Sequence, residues 1–462
     1  MAGFPDVVVL LPGITGSVLA RRDGKEVWSP SAGAIWRAVT SLGGSIKDLE
    51  LDADAADDGV TAPRLIPDVT IVPGLIKIDG YSRIERYLIE QLELTLGSNY
   101  FPFPYDWRRD NRDNAKRLQR QAHEWLKTWR ASSGATDARL VLIGHSMGGL
   151  VSRYFLECLE GWKTTRALIT LGTPHRGSVN AVDFLVHGMK KGIGPLGLDL
   201  TPLLRSLPSV YQLLPIYPCI DVGAAELARV AAAAQAAALP NVDATRAADA
   251  RAFHTEIEQA QSANAASAAY VDTGYTLIPV VGIEQPTFQS ARSAGGSVEL
   301  LRSYAGEDMG GDGTVPRVSA TPIEMSETRR EIYAAEMHGS LQNADGPLAN
   351  LKGALTRSRI DLGRFRAPAR PGATLTLEMD DVVLPGEPLV VRARASSGKP
   401  PINVQLTHIA DGKSIGGQLK ADAGSPWQQA HFDQLAPGAW RVRIDSSGAS
   451  PVTDLAVVAQ TA

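Results

Sequence analysis

The stretch Leu140-Val141-Leu142-Ile143-Gly144-His145-Ser146-Met147-Gly148-Gly149-Leu150-Val151 decides the fold. Its first four residues are continuously apolar and partly β-branched, the pattern of a strand buried on both faces. From Leu150 to Leu156 apolar residues fall at helical spacing. Between the two lies Gly-x-Ser-x-Gly, a strand-to-helix turn that lifts the Ser146 hydroxyl above a sheet. Glycines at both ends avoid the Cβ clashes that so tight a bend imposes. The pentapeptide alone is a weak signal, and read blandly Ser146 is a turn serine. The flanking strand and helix patterns carry the reading.

Working outward, residues 7–11 and 167–171 are further short apolar runs. Between them, residues 114–129 read as a helix with Leu118, Ala122, Trp125, Leu126 and Trp129 on one face. Strands alternating with helices predict an α/β fold around a mostly parallel sheet. Residues 277–283, 298–304 and 331–335 read as later strands. Two excursions interrupt the alternation. Residues 27–74 form an insertion carrying Trp28, Ile35, Trp36 and an acidic run that reads as a solvated loop. Residues 186–274 are first rich in Leu, Pro and Gly, then Ala-rich and helical over 225–237 and 245–266. That position suits a helical cap or lid.

Composition shifts at residues 366–372, Arg-Ala-Pro-Ala-Arg-Pro-Gly, which read as a linker. The organisation expected is a catalytic domain over 1–365, the linker, and an all-β module over 373–462. In the module, short alternating runs at 375–379, 389–395, 403–408, 428–433 and 440–445 are separated by turns at Pro385-Gly386, Asp411-Gly412 and Pro437-Gly438. Such spacing predicts a β-sandwich of immunoglobulin-like or fibronectin-like type.

A serine hydroxyl becomes a nucleophile only when a base takes its proton, usually a histidine oriented by a carboxylate. In α/β-hydrolases the chain order is Ser, then Asp or Glu, then His. Here Gly310-Gly311-Asp312-Gly313-Thr314-Val315 follows the strand expected near Tyr304, and Glu336-Met337-His338-Gly339 follows the one expected near Tyr333. His338 is the one histidine between Asp312 and the β-module, so it is the expected base. Asp312 is the expected acid, with Asp308 open as a competitor by spacing alone. Bland readings are a turn aspartate and a surface-loop histidine. The oxyanion of an acyl-transfer intermediate would take one N–H from Met147, which also starts a helix. The second would come from Leu11-Pro12-Gly13-Ile14-Thr15-Gly16, with Ile14 chosen and Gly13 the alternative.

The chain has 462 residues, 44% of them hydrophobic, and a net charge of −4. Mixed charge of this size argues against a nucleic-acid partner. Two cysteines, Cys158 and Cys219, give no disulfide framework. No cofactor or metal site is called. The N-terminus lacks a basic segment, and residues 7–11 are too short for a signal core. No run approaches the ~20 apolar residues of a membrane span. A cytoplasmic protein is expected unless a leader has been removed, with peripheral membrane contact through apolar surface.

Six segments together resemble the lecithin:cholesterol acyltransferase family, including its lysosomal phospholipase A2 branch. They are Pro12-Gly13-Ile14-Thr15-Gly16-Ser17, Val72-Pro73-Gly74, Pro104-Tyr105-Asp106-Trp107-Arg108, Gly144 to Gly149, Gly172-Thr173-Pro174-His175-Arg176-Gly177-Ser178, and Gly311-Asp312-Gly313-Thr314-Val315. The resemblance implies Ser146, Asp312 and His338 as a triad, and raises Asp312 above Asp308. It implies Ile14 and Met147 as oxyanion donors and the excursion after Ser178 as lid and cap. Asp106-Trp107-Arg108 would support the site wall, and His175 would pack its loop. Unlike the animal enzymes, the early insertion has no cysteine, and no second histidine follows His338-Gly339.

Trp28, Trp36, Leu207, Leu213 and Leu214 are the candidate substrate or lid residues, with core packing as their bland reading. The function expected is cleavage of lipid carboxylic esters, as in a lipase or phospholipase A. An O-acyltransferase of the same fold is the alternative. A non-catalytic binding or assembly protein on a hydrolase scaffold is the reading from another class. The partners expected are a lipid or other hydrophobic ester and, through the β-module, a protein.

Overall fold

Residues 7–11 alternate their side chains between two buried layers, and that alternation organises the molecule. A computed structural model describes residues 4–29, 49–51, 58–67, 70–72, 76–191, 198–326, 331–356, 373–384, 386–421 and 424–459. Six strands form the central sheet: β1 (Val7–Leu11), β2 (Tyr100–Pro102), β3 (Leu140–His145), β4 (Thr165–Leu171), β5 (Thr276–Gly282) and β6 (Ile332–Ala334). Their order is β6-β5-β4-β3-β1-β2, and every neighbouring pair is parallel. Val7, Val9 and Leu11 face one layer, with Leu118, Leu126, Val151 and Phe155. Val8 and Leu10 face the other, with Ile84, Leu88 and Leu348. This is an α/β-hydrolase sheet, covered on both faces as buried parallel strands require.

Four helices supply most of that cover: α1 (Ser82–Leu92), α2 (Asn111–Ser133), α3 (Met147–Cys158) and α4 (Asp345–Thr356). The ends of α2 lie outside its apolar stripe and are set by local chemistry. The Asp110 side chain accepts from the Arg112 N–H, and Gly134 closes the other end at φ 73°.

The excursion after α3 and β4 carries further helices, among them Val179–Val186, Thr201–Ser206, Pro208–Tyr211, Val230–Gln235 and Ala244–Ala265. The last packs on α3 through Phe253 and Ile257, against Leu150. The helix expected over 225–237 is shorter than its alanines suggest. Ala228 is held in extended pairing with Ile220, donating to it at 2.8 Å and accepting at 3.0 Å. A second expectation is corrected. Ser297–Leu301 pairs with Ser290–Ala294, which pairs with Ile220–Asp221, in a three-stranded sheet beside these helices. Asp312 therefore belongs to the end of β5, reached after a long excursion, and not to a central strand near Tyr304.

The early insertion begins and ends as sheet, with Ser17–Arg21 paired to both Glu26–Trp28 and Val60–Leu65. Ile35, Trp36 and most of the acidic run lie outside the described residues. So does the linker expected at 366–372. Beyond it, two sheets share one core that includes Leu377, Val391, Leu406, Trp440 and Ile444. Strands Leu375–Met379, Leu389–Ala395, Gln428–Phe432 and Lys420–Ala421 form the first. Val382–Val383, Val452–Val458, Gly438–Asp445, Asn403–His408 and Ser414–Gln418 form the second. Among the described residues no helix is long and apolar enough to cross a membrane.

Pro104 to Arg108 knit this frame to the loop after β1. The Tyr105 hydroxyl donates to Pro12 O at 2.8 Å, and Trp107 Nε1 donates to Ser17 O at 3.2 Å. Arg108 is fully buried. It donates to both Asp106 oxygens, at 2.9 and 2.7 Å, and pairs with Asp58 at 2.8 Å. Removing one member of a buried ion pair strands the other charge. Arg108→Ala is expected to lower unfolding free energy by about 3 kcal/mol in a urea titration.

Candidate active site

Three loops from the carboxyl ends of β3, β5 and β6 meet at Ser146. The serine sits between strand and helix at φ 52°, ψ −124°, a conformation rarely adopted outside glycine. The motif's glycines make the turn sterically feasible. A Cβ on Gly144 would lie 2.7 Å from Gly149 Cα, and one on Gly148 would lie 2.5 Å from Pro12 O.

His338 Nε2 lies 2.9 Å from Ser146 Oγ, and its Nδ1 lies 2.8 Å from Asp312 Oδ2. The other Asp312 oxygen accepts from the Thr314 and Val315 amides, at 3.0 and 2.7 Å. The carboxylate is 1% exposed, so its hydrogen bonds fix its direction. The backbone joins acid and base too, since His338 N–H donates to Asp312 O at 2.8 Å. Gly172, at φ 59°, lies under this pair; a Cβ there would be 2.9 Å from Asp312 Oδ2 and 3.0 Å from His338 Nδ1. Asp308 is elsewhere, accepting from Gln289 Nε2 at 2.6 Å and from the Gly310 amide at 2.9 Å.

A second layer links the base to the loop after β1. The His338 carbonyl can only accept, so His145 Nε2, 3.1 Å away, carries the proton. In the neutral ring Nδ1 is then an acceptor, and the Tyr81 hydroxyl donates to it at 2.8 Å. The same hydroxyl accepts from Gly13 N–H at 2.8 Å. Burial, with the charge of His338 second, pushes the His145 pKa down to about 3. His145 thus stays neutral and places no positive charge against His338, whose ring centre is 5.2 Å away. The Gly13 amide is spent on Tyr81. The Ile14 and Met147 amides have no partner among the described residues, and Met147 is the first residue of α3.

A cavity of about 90 Å³ opens on Ser146 and His338. Ile14, Phe184, Leu204, Val210, Leu213 and Val315 supply its apolar wall. A far larger cleft, about 1420 Å³, runs between α1, the residues after β6 and the β-sandwich; it does not reach Ser146. Of the candidate lid residues, Leu213 lines the small cavity. Leu207 and Leu214 are buried in the core instead. Trp28 packs edge-on against Trp107 at 5.3 Å and donates to Thr15 O at 3.0 Å, bracing the loop that holds Ile14. Trp36 is not among the described residues. His175 is buried, 3.3 Å from Thr170 Oγ1, and packs its loop. Phe184, Leu204 and Val210 sit in apolar helix stretches where no local pattern separates cavity wall from core. Tyr81 lies 64 residues before its partner His145 and has no local signal.

Residues 85–279 match the family model for lecithin:cholesterol acyltransferase. Over that segment, less than half of its length, the chain is similar to the lecithin:cholesterol acyltransferase family. It is similar to the human lysosomal phospholipase A and acyltransferase, with 30% identity over 128 residues, 26% of this chain and 29% of that one. It is also similar to the triacylglycerol lipase of Burkholderia plantarii, with 32% identity over 152 residues, 32% of this chain and 39% of that one. The match thus spans well under half the length of either relative. Among solved structures, the propeptide form of Bacillus licheniformis lipase BlEst2 aligns at 14% identity with a TM-score of 0.36, covering 97% of this chain and 73% of that one.

Two outcomes are expected. Tyr81→Phe leaves Gly13 N–H and His145 Nδ1 without their partner, which should cost about 1–3 kcal/mol in a urea titration. The same change should slow labelling of Ser146 by a fluorophosphonate. The second concerns acid. Burial also pushes His254 down to about 4 and His175 well below its ordinary value. The unfolded chain binds these protons near pH 6.5, whereas the folded chain does not. Stability is therefore lost as pH falls from about 6.5 towards the folded values, by up to about 1.4 kcal/mol per pH unit for each histidine. Urea midpoints should drop between pH 7 and pH 5, and His254→Gln should flatten that drop.

Proposed function

We propose that the protein is a serine hydrolase that cleaves lipid carboxylic esters. The observation that carries this reading is the unbroken chain from Ser146 Oγ through His338 to the buried Asp312 carboxylate, at 2.9 and 2.8 Å. In this reading Ser146 Oγ attacks the ester carbonyl while His338 Nε2 accepts its proton. Asp312 holds the Nδ1–H and stabilises the imidazolium. The carbonyl oxygen becomes an oxyanion facing the Ile14 and Met147 amides, with the dipole of α3 behind Met147. Collapse expels the alcohol, which takes the proton from His338 and leaves an acyl-enzyme. Water, deprotonated by His338, then releases the carboxylic acid and restores Ser146.

The apolar wall of Phe184, Leu204, Val210 and Leu213 favours an acyl chain over a polar side chain. Similarity to a phospholipase A and acyltransferase supports a second reading, in which a lipid alcohol replaces water in the last step. Supplying a long-chain alcohol and looking for its ester distinguishes the two.

Ser146→Ala is expected to abolish hydrolysis of a p-nitrophenyl ester and labelling by a fluorophosphonate. Full activity in that variant would sink the serine mechanism. Across a chain-length series, emulsified long-chain esters should be preferred; strict preference for short soluble esters would count against the lipid.

A further inference from the structure

The β-sandwich grips the loops that carry the acid and the base, and it does so at three points. The first is Gln285, just beyond β5 and 2% exposed. Its backbone runs beside Asp312, and its N–H donates to Gly311 O at 3.0 Å. Its side chain reaches into the β-sandwich. Nε2 donates to Leu375 O at 3.3 Å, and Oε1 accepts from Leu377 N–H at 3.2 Å. Leu375–Met379 is an edge strand of its sheet, pairing only with Leu389–Ala395 within it. An exposed edge offers unpaired backbone groups, and Gln285 satisfies two of them. Thr287 extends the contact, since its hydroxyl accepts from Gly313 N–H at 2.8 Å.

The second point is the approach to His338. Ala335 is buried in the β-sandwich core, and Met337 packs against the same core. A Cβ on Gly313 would lie 3.0 Å from Met337 Cε, so this side chain fills the space between acid loop and β-sandwich. Glu336, between them, is buried and accepts from Thr453 N–H at 3.1 Å. Burial pushes its pKa up to about 8. The third point is Asp79, which pairs with Arg441 while its N–H donates to Gly339 O at 2.8 Å.

We propose that Gln285 and Glu336 are positioning residues, through which the β-sandwich sets the placement of Asp312 and His338. The β-sandwich is then a structural part of the active site. This rests on the serine-hydrolase reading above. The physical reason is geometric: general-base catalysis tolerates little misplacement, and an error of about 1 Å costs roughly 10²-fold. Asp312 is reached only after a long excursion from the end of β5, and His338 follows the short strand β6 by four residues. The outer sides of both loops rest on the β-sandwich.

The experiment uses the full chain and a short soluble p-nitrophenyl ester. It compares wild type with Gln285→Ala, Glu336→Ala and Glu336→Gln. Gln285→Ala and Glu336→Ala are expected to lower kcat about 10–100-fold with KM within about twofold, and to slow fluorophosphonate labelling in parallel. Glu336→Gln keeps a neutral acceptor for Thr453 N–H and should restore most of the activity. The acid limb of kcat against pH should move in the alanine variants. If these variants lose thermal stability while kcat stays within about twofold of wild type, the β-sandwich is only a stabiliser and the proposal is overturned. Should Glu336→Ala fail to fold, the Gln285→Ala result decides. A wild type that neither labels nor turns over would sink the serine-hydrolase reading, and the positioning role with it.

Discussion

The backbone of Ser146, held at φ 52° and ψ −124°, is the constraint on which the site depends. Such a conformation costs on the order of 1–3 kcal/mol and persists only where its surroundings over-determine it. Here they do. Ser146 N–H donates to Leu171 O at 2.9 Å, fixing the turn to the end of β4. Gly148 leaves no room between α3 and Pro12 O, so the same turn fixes the loop holding Ile14. Relaxing the serine would therefore move an adjacent strand end and a facing loop together.

That rigidity extends to the histidine by two routes. One is the direct contact of His338 with Ser146. The other passes from Gly13 through Tyr81 and His145 to the His338 carbonyl, through bonds of 2.8, 2.8 and 3.1 Å. A buried chain of this kind is useful only when each member is satisfied, because a half-paired polar group at this depth is costly. Its direction is fixed by chemistry: an amide donates at one end and a carbonyl accepts at the other. His145 must therefore be neutral, and burial keeps it so. The arrangement also assigns the amides of the first loop. Both Gly13 and Ile14 line the cavity, but the Gly13 amide donates to Tyr81, whereas that of Ile14 has no such partner among the described residues.

Much of this frame is written locally in the sequence. The strands at 7–11, 140–145 and 165–171 are short apolar runs whose pattern admits few alternatives. The turn at Ser146 is visible because its steric demands require glycine at fixed positions. In the sequence, His338 stands out as the one histidine between Asp312 and the β-module, whereas spacing left Asp308 open and only the family resemblance raised Asp312 above it. What was not legible depends on distance. Tyr81 and Gln285 are ordinary residues until the chain folds and brings His145 and Leu375 to them. The strand expected over 298–304 is found at Ser297–Leu301, but a local pattern cannot say which sheet a strand joins. Likewise, the alanines at 225–229 favour a helix, yet pairing of Ala228 with Ile220 prevails because tertiary hydrogen bonds outweigh small propensity differences.

Size adds a last constraint on how the site works. Pockets that take drug-sized ligands run from about 300 to 1,000 Å³. The space before Ser146 is about 90 Å³, enough for a short acyl group and not for a long chain. Its walls are unequal. Ile14 and Val315 belong to loops tied to the sheet and to the acid, so they cannot retreat without disturbing the turn or Asp312. Leu204, Val210 and Leu213 lie in or just after two short helices, Thr201–Ser206 and Pro208–Tyr211, joined to each other at Leu207. Few-turn helices depend on packing for their stability, since propensity alone does not hold so short a segment. Those two helices are thus the part of the wall held mainly by packing. A long acyl chain would have to displace them, whereas a short one would not.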